Sequence, residues 1–303
     1  TAYVVNMLDG TVMTKLKVET TEVKTLPNSM DRRTSQLYND KIYMPQHGGT
    51  KLEIYDIATD TTTTKTLPNS MDRRTSQLYN GKIYMPRSNG TTLEIYDIAA
   101  GTTTVKTLPN NMYRATSQLY NGKIYMPQDG GNKLEIYDIA TGTTEVKTLQ
   151  NNMSRYTSQL YNDKIYMPQH GGTKLEIYDI ATDTTTTKTL PNDMYRLTSQ
   201  LYNGKIYMPQ GGGTILEIYD IATGTTTTKT LPNNMYRATS QLYNGKIYMP
   251  QWGGTTLEIY DIATDTTTTK TLPNNMYRVT SQLYNGKIYM PQTNGTNLEV
   301  YNP

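Results

Sequence analysis

Thr34-Ser35-Gln36-Leu37-Tyr38-Asn39-Asp40-Lys41-Ile42-Tyr43-Met44-Pro45 reads as two short strands joined by a two-residue turn. Leu52-Glu53-Ile54-Tyr55-Asp56-Ile57 and Thr61 to Leu67 then read as two more. The turn residues Asn39-Asp40 become Asn-Gly in most later copies, as at Asn80-Gly81. Asn-Gly between strand-like runs is the strongest short-range hairpin signal, because both residues tolerate positive φ. Lys41 to Met44 alternates polar and apolar, and Pro45, which cannot donate to a ladder, should end that strand or place it at an edge. Gly48-Gly49 and Ala58-Thr59-Asp60 supply the remaining turns. The Thr-rich run suits a half-exposed outer strand, because β-branched residues are stiff at χ1. Four strands on short turns make one sheet, lettered A to D from Thr34 outward.

The same unit fills the chain. Lys-Thr-Leu starts at Lys24, Lys65, Lys106, Lys147, Lys188, Lys229 and Lys270, and Thr-Ser-Gln-Leu-Tyr keeps step from Thr34 to Thr280, every 41 residues. A repeat of about 40 residues built of short strands predicts a β-propeller. The fold class is therefore all-β, with four-stranded antiparallel blades. There are seven A and seven D segments, but eight that resemble B and C. The extra pair is Ala2 to Met7 and Thr11 to Val18. A seven-bladed ring closes if the outer strand near Glu22 to Leu26 completes the last blade. Residues 1–18 then form an accessory hairpin or a relic, and 19–303 the seven repeats of a single domain. Eight blades are the alternative, short of one inner strand.

Of the 303 residues 35% are apolar, which suits a β protein with many exposed strands. At this length a compact fold still buries about three quarters of its unfolded surface. The net charge of +3, with acids and bases alternating, argues against nucleic acid as a partner. There is no Cys, hence no disulfide framework and no thiolate chemistry. No apolar stretch approaches the roughly 20 residues of a membrane span. Richness in Thr, Tyr, Asn and Gly is a compositional hint of a bacterial surface protein, secreted or cell-bound.

Copies this alike make their differences informative. In an up-and-down blade the B–C and D–A loops emerge on one face. The first B–C position reads His47, Ser88, Asp129, His170, Gly211, Trp252 and Thr293, and a second reads Lys51, Thr92, Lys133, Lys174, Ile215, Thr256 and Asn297. The D–A loop gives Asp31, Asp72, Tyr113, Ser154, Tyr195, Tyr236 and Tyr277. Two residues on it gives Arg33, Arg74, Ala115, Tyr156, Leu197, Ala238 and Val279. The opposite turns scarcely vary. Drift at exposed loops is the bland reading, but unlike side chains gathered on one face point to recognition. The first two blades are charged there, with Arg87 replacing a Gln found in every other copy; the last three are aromatic and apolar. Trp252, the lone Trp, sits in the most variable loop and suits stacking on a sugar ring or anchoring a partner's apolar side chain.

Two rings do not vary. Arg32, Arg73, Arg114, Arg155, Arg196, Arg237 and Arg278 precede every A strand. They read either as a cationic ring at the channel mouth, able to hold an anion, or as Arg–carboxylate bridges to Glu53 or Asp56 and their equivalents, tying neighbouring blades. Gln36 and its counterparts are expected to line the channel and to meet inner-strand groups with water. Chemistry is sparse. His47 and His170 lie three blades apart with no second imidazole nearby, so no metal site or cofactor is expected. No Ser–His–carboxylate set is readable either.

Asn-Gly-Lys-Ile-Tyr, the Gly-Gly turn, Leu-Glu-Ile-Tyr-Asp and Leu-Pro-x-x-Met-x-Arg resemble the kelch family of propellers. Tyr3-Val4-Val5-Asn6 with Asp9-Gly10-Thr11-Val12 resembles the bacterial YVTN-type repeat. Pro45-Gln46 stands where kelch repeats usually place Gly-Gly, and Thr replaces their outer-strand Trp. Some kelch-like propellers are oxidases or sugar-processing enzymes, but equivalents of their Cys, His or copper ligands are absent here. The expectation is a non-catalytic module binding a glycan or protein through Trp252, Tyr236, Tyr277, Tyr195, Tyr156 and Tyr113, with Arg87, His47, His170, Asp129, Arg33 and Arg74. The alternatives are a structural or engineered scaffold without a specific ligand, and a carbohydrate-active enzyme.

Overall fold

The computed structural model describes residues 2–5, 12–16 and 19–303. Of the segments expected as an accessory hairpin, β1 (Ala2–Val5) pairs antiparallel with β2 (Val12–Leu16); the rest of 1–18 lies outside the described residues. The first blade is built from β4 (Gln36–Tyr38), β5 (Lys41–Pro45), β6 (Gly49–Asp56) and β7 (Thr61–Met71), paired in that order. Six further blades follow the same order, the last two joined in one sheet by Tyr277↔Thr293 and Arg278↔Gln292, which makes a seven-bladed propeller. The outer strand of blade 7 is β3 (Thr20–Met30), which pairs with Gly295–Asn302 from Thr20↔Asn302 to Met30↔Gly295.

The A–B turns take the expected conformation, with φ of 46° at Asn80 and 68° at Gly81. Strand B departs from simple alternation. Ile42, Tyr43, Met44 and Pro45 are all buried, because blades pack face to face and both faces of the strand meet a neighbour. The core is accordingly seven wedges between blades rather than one centre. Tyr43, Leu52, Ile54, Leu67 and Met71 of blade 1 pack on Ile83, Met85 and Tyr96 of blade 2. Leu26, Met30, Leu298 and Val300 of blade 7 meet Ile42, Met44 and Tyr55 of blade 1 in the same way. Strand D does not stop at Pro68. It runs on to Met71, with a bulge where Lys51↔Thr66 gives way to Gly49↔Met71. The missing N–H of Pro68 is harmless at an edge bulge.

Along the axis the inner strands are linked by side chains. Thr34 Oγ1 lies 2.7 Å from Ser76 Oγ, the pattern repeats round the ring, and Ser35 with Thr280, also at 2.7 Å, closes it. Gln36 Nε2 donates to the carbonyl and hydroxyl of Ser76 at 2.9 and 3.0 Å. The inner glutamines thus bond directly to the next blade.

Candidate functional site

The B–C and D–A loops are hydrogen-bonded to each other within every blade. His47 N–H donates to the Asp31 carbonyl, Asp129 N–H to that of Tyr113, and Trp252 N–H to that of Tyr236. Both variable loops therefore form one platform. Three consecutive D–A residues take three destinations, and this alternation builds the site.

The middle residue is the invariant arginine, and it goes inward. All seven (Arg32, Arg73, Arg114, Arg155, Arg196, Arg237, Arg278) are 0% exposed, which corrects the reading of a cationic ring open to a channel ligand. Arg114 shows the arrangement. Its Nε and Nη2 donate to Glu135 Oε2 at 3.0 and 2.5 Å. Nη1 donates to the carbonyls of Arg87, Gly90 and Met112, and Nη2 also to that of Asn110. Glu135 Oε1 accepts from the backbone and side-chain amides of Asn110 at 2.9 Å. Glu135 belongs to blade 3 and the other partners to blade 2 or its outer strand, so the ion pair ties neighbours together. A buried charge is tolerable only when it is paired and hydrogen-bonded like this. Asp56 is not part of the bridge; it pairs with Lys41 and caps the turn amides of Ala58 and Thr59.

The residue before the arginine lies over the preceding blade's loop. Tyr277 packs on Gly253, where an added Cβ would sit 2.9 Å from its ring, and Gly253 holds φ +69°. Tyr236 covers Gly212 and Tyr195 covers Gly171 likewise. Trp252 is held between Tyr236 and Tyr277, with ring centroids at 5.9 and 4.7 Å, yet remains 40% exposed. His170 sits between Tyr156 and Tyr195 at 4.3 and 5.0 Å. Tyr113 is exposed and its hydroxyl takes a bond from Asn89 Nδ2 at 3.2 Å.

The residue after the arginine faces the axis. Arg33, Arg74, Ala115, Tyr156, Leu197, Ala238 and Val279, one from each blade, line a pocket of about 430 Å³ together with Tyr236, Trp252, Tyr277, Thr293 and Asn294. Six of the expected binding residues are brought together here: Arg33, Arg74, Tyr156, Tyr236, Trp252 and Tyr277. The other six lie outside it. Tyr113 and Tyr195 stand on the platform beyond the rim. Asp129 Oδ1 accepts the Arg155 N–H at 3.2 Å. His47 is 3.2 Å from the Arg73 carbonyl through Nδ1 and 3.7 Å from Asp72 through Nε2. His170 is enclosed by its two tyrosines. Arg87 lies over Gly90, as Gln46 lies over Gly49. The lysines of the second variable position also point elsewhere: Lys133 and Lys174 reach Asn110 and Asn151 on the preceding blade at 2.7 Å. Thr293 is one of the variable B–C positions read from the repeats, whereas Asn294 was missed as a lining residue. Asn294 occupies, at φ 58°, the left-handed position that glycine takes in most copies, a substitution visible in the aligned repeats.

The pocket is bipolar. Its two arginines come from adjacent blades, and Tyr156, Leu197 and Ala238 come from blades across the ring. Arg33 Nε donates to Asp31 Oδ2 at 2.9 Å. Arg74 lacks the equivalent bond: Asp72 is turned to His47, and the buried Arg74 Nε has no hydrogen-bond partner. Burial, and then the Arg33 charge, hold the His47 imidazole below its ordinary pKa, which keeps a third positive charge away from the two arginines. Burial does the same to His170. Among the described residues no three His, Cys, Asp or Glu side chains gather as a metal site, and no helix is long and apolar enough to cross a membrane.

No protein-family model matches the chain, and no curated protein matches it. Solved structures do. A streptogramin B lyase superimposes with a TM-score of 0.82 at 16% identity, over 94% of this chain and 97% of that one. YCF48 bound to D1 peptide gives 0.77 at 9% identity, over 95% and 96%. The computationally designed Ika8 protein gives 0.70 at 12% identity, over 92% and 98%. At such identities the likeness is one of fold: the chain is a β-propeller, and the kelch and YVTN resemblances find no matching family. The neighbours include an enzyme, a peptide-binding protein and a designed scaffold.

Proposed function

We propose that the protein is a recognition module that performs no chemistry on what it holds, and that it binds a protein segment at the axial pocket and its aromatic rim. The observation that carries this reading is convergence. A position that reads Arg, Arg, Ala, Tyr, Leu, Ala and Val beside an invariant arginine is the one that meets at the axis, and it does so in all seven blades. A pocket of about 430 Å³, mostly apolar with a few placed polar groups, is of the size and kind that holds a ligand. Apolar walls such as Leu197, Ala238 and Val279 offer a protein side chain more than they offer a hydroxyl-rich sugar. Trp252, clasped by two tyrosines but 40% exposed, favours a glycan as the second reading, because a flat ring is a good platform for a sugar. The Thr- and Asn-rich exterior supports a placement outside a bacterial cell.

Wild type and Trp252→Ala, screened against peptide and glycan arrays, test the reading. Loss of a central aromatic anchor should weaken capture by about 2 kcal/mol, some thirtyfold, while the melting temperature moves little. If wild type retains nothing on either array, the platform is a scaffold without a specific ligand.

A further inference from the structure

The pocket has one feature the general reading leaves unused, namely an uncompensated cation. Arg33 is neutralised by Asp31. Arg74 also lines the pocket, but no carboxylate lies within ion-pair distance of it among the described residues, and its buried Nε is without a partner. A guanidinium held in a partly desolvated site, with a donor unmet, is completed by an anion, and a planar carboxylate fits its fork best. The opposite arc of the wall is Tyr156, Leu197 and Ala238, where a single phenol hydroxyl would leave a second charge, or a cluster of hydroxyls, short of partners. The pocket opens onto the platform beside the exposed Trp252 and Tyr277, so a ligand longer than the pocket has an aromatic surface on which to leave it.

We infer that the pocket takes the free C-terminus of a protein or peptide, with the terminal carboxylate on Arg74 and an apolar last side chain on the facing wall. This rests on the recognition reading above and assigns the end of the partner that enters.

Two pools of N-terminally immobilised random tetrapeptides, identical except that one ends in free carboxylates and the other in amides, decide it. The expected result is retention of acid-terminated members with apolar or aromatic last residues, and at least about tenfold less retention of their amides, the effect of losing one charge-assisted hydrogen bond. Arg74→Gln should lose the same factor, with its melting temperature unchanged. Lys65→Gln, on the outer strand far from the axis, should retain peptides like wild type. Octanoate is titrated as a competitor. Displacement at the concentration of the best peptides would assign the pocket to free acids and overturn the peptide assignment. Equal retention of acid and amide pools would overturn the inference while leaving recognition intact. Retention of neither pool, nor of any glycan, would overturn both.

Discussion

Arg32 and Arg33 are neighbours in the chain with opposite fates, one sealed between blades and the other lining the mouth of the axis. Their repeats tell them apart: the first position is identical in seven copies, while the second is Arg, Arg, Ala, Tyr, Leu, Ala and Val. That much was legible. The bridge from the invariant arginine to Glu53 and its equivalents was legible too, and preferable to an open ring; only the structure shows that Asp56 takes no part in it. His47 and His170 show another limit. Sequence gives their spacing, but only the structure shows their burial, which lowers both pKa values. In the unfolded chain an imidazole takes its proton near pH 6.5; in the fold it does so only at lower pH. The unfolded state therefore binds more protons through that interval, and stability is full above it and declines as the pH falls through it. Thermal unfolding should show the melting temperature dropping from about pH 7 to about pH 5, before carboxylates titrate. His47→Gln with His170→Gln should flatten the drop. A wild-type melting temperature constant over that range would refute the assignment.

Between strands, the sequence was read well where local chemistry dictates the answer and less well where a neighbouring blade does. Asn-Gly turns announce themselves through backbone preference alone. Burial of all of Ile42-Tyr43-Met44-Pro45 depends on a second sheet behind the strand, which one repeat in isolation does not reveal. The passage of strand D through Pro68 follows from the bulge that meets Gly49. The Arg–Glu–Asn cluster at each wedge belongs to this scale too. Removing one charge from a sealed pair leaves the other stranded, so Arg114→Met should lose about 3–5 kcal/mol in denaturant unfolding. Arg114→Met with Glu135→Leu, which removes both charges, should recover much of that loss. If the double variant were less stable than the single one, the cluster would act through something other than the stranded carboxylate.

At the scale of the whole molecule the ring is held shut by one strand from the other end of the chain. β3 supplies Leu26 and Met30 to the wedge between blades 7 and 1, and the Ser35–Thr280 contact closes the inner belt at the same seam. A chain beginning at Asp31 would leave Leu298 and Val300 uncovered and an edge unpaired. Such a chain should lose at least about 3 kcal/mol, from the large buried side chains removed. Adding a peptide of residues 19–30 should restore the unfolding midpoint. An unchanged midpoint in the shortened chain would mean that closure contributes nothing.

The separation of Arg32 from Arg33 reaches further than either residue. A frame that repeats sevenfold has no preferred direction, so orientation resides in the side chains that differ between blades, at the hub and on the rim around it. Shifting all of those differences by one blade would leave the wheel as it was and turn whatever sits on it by about a seventh of a circle.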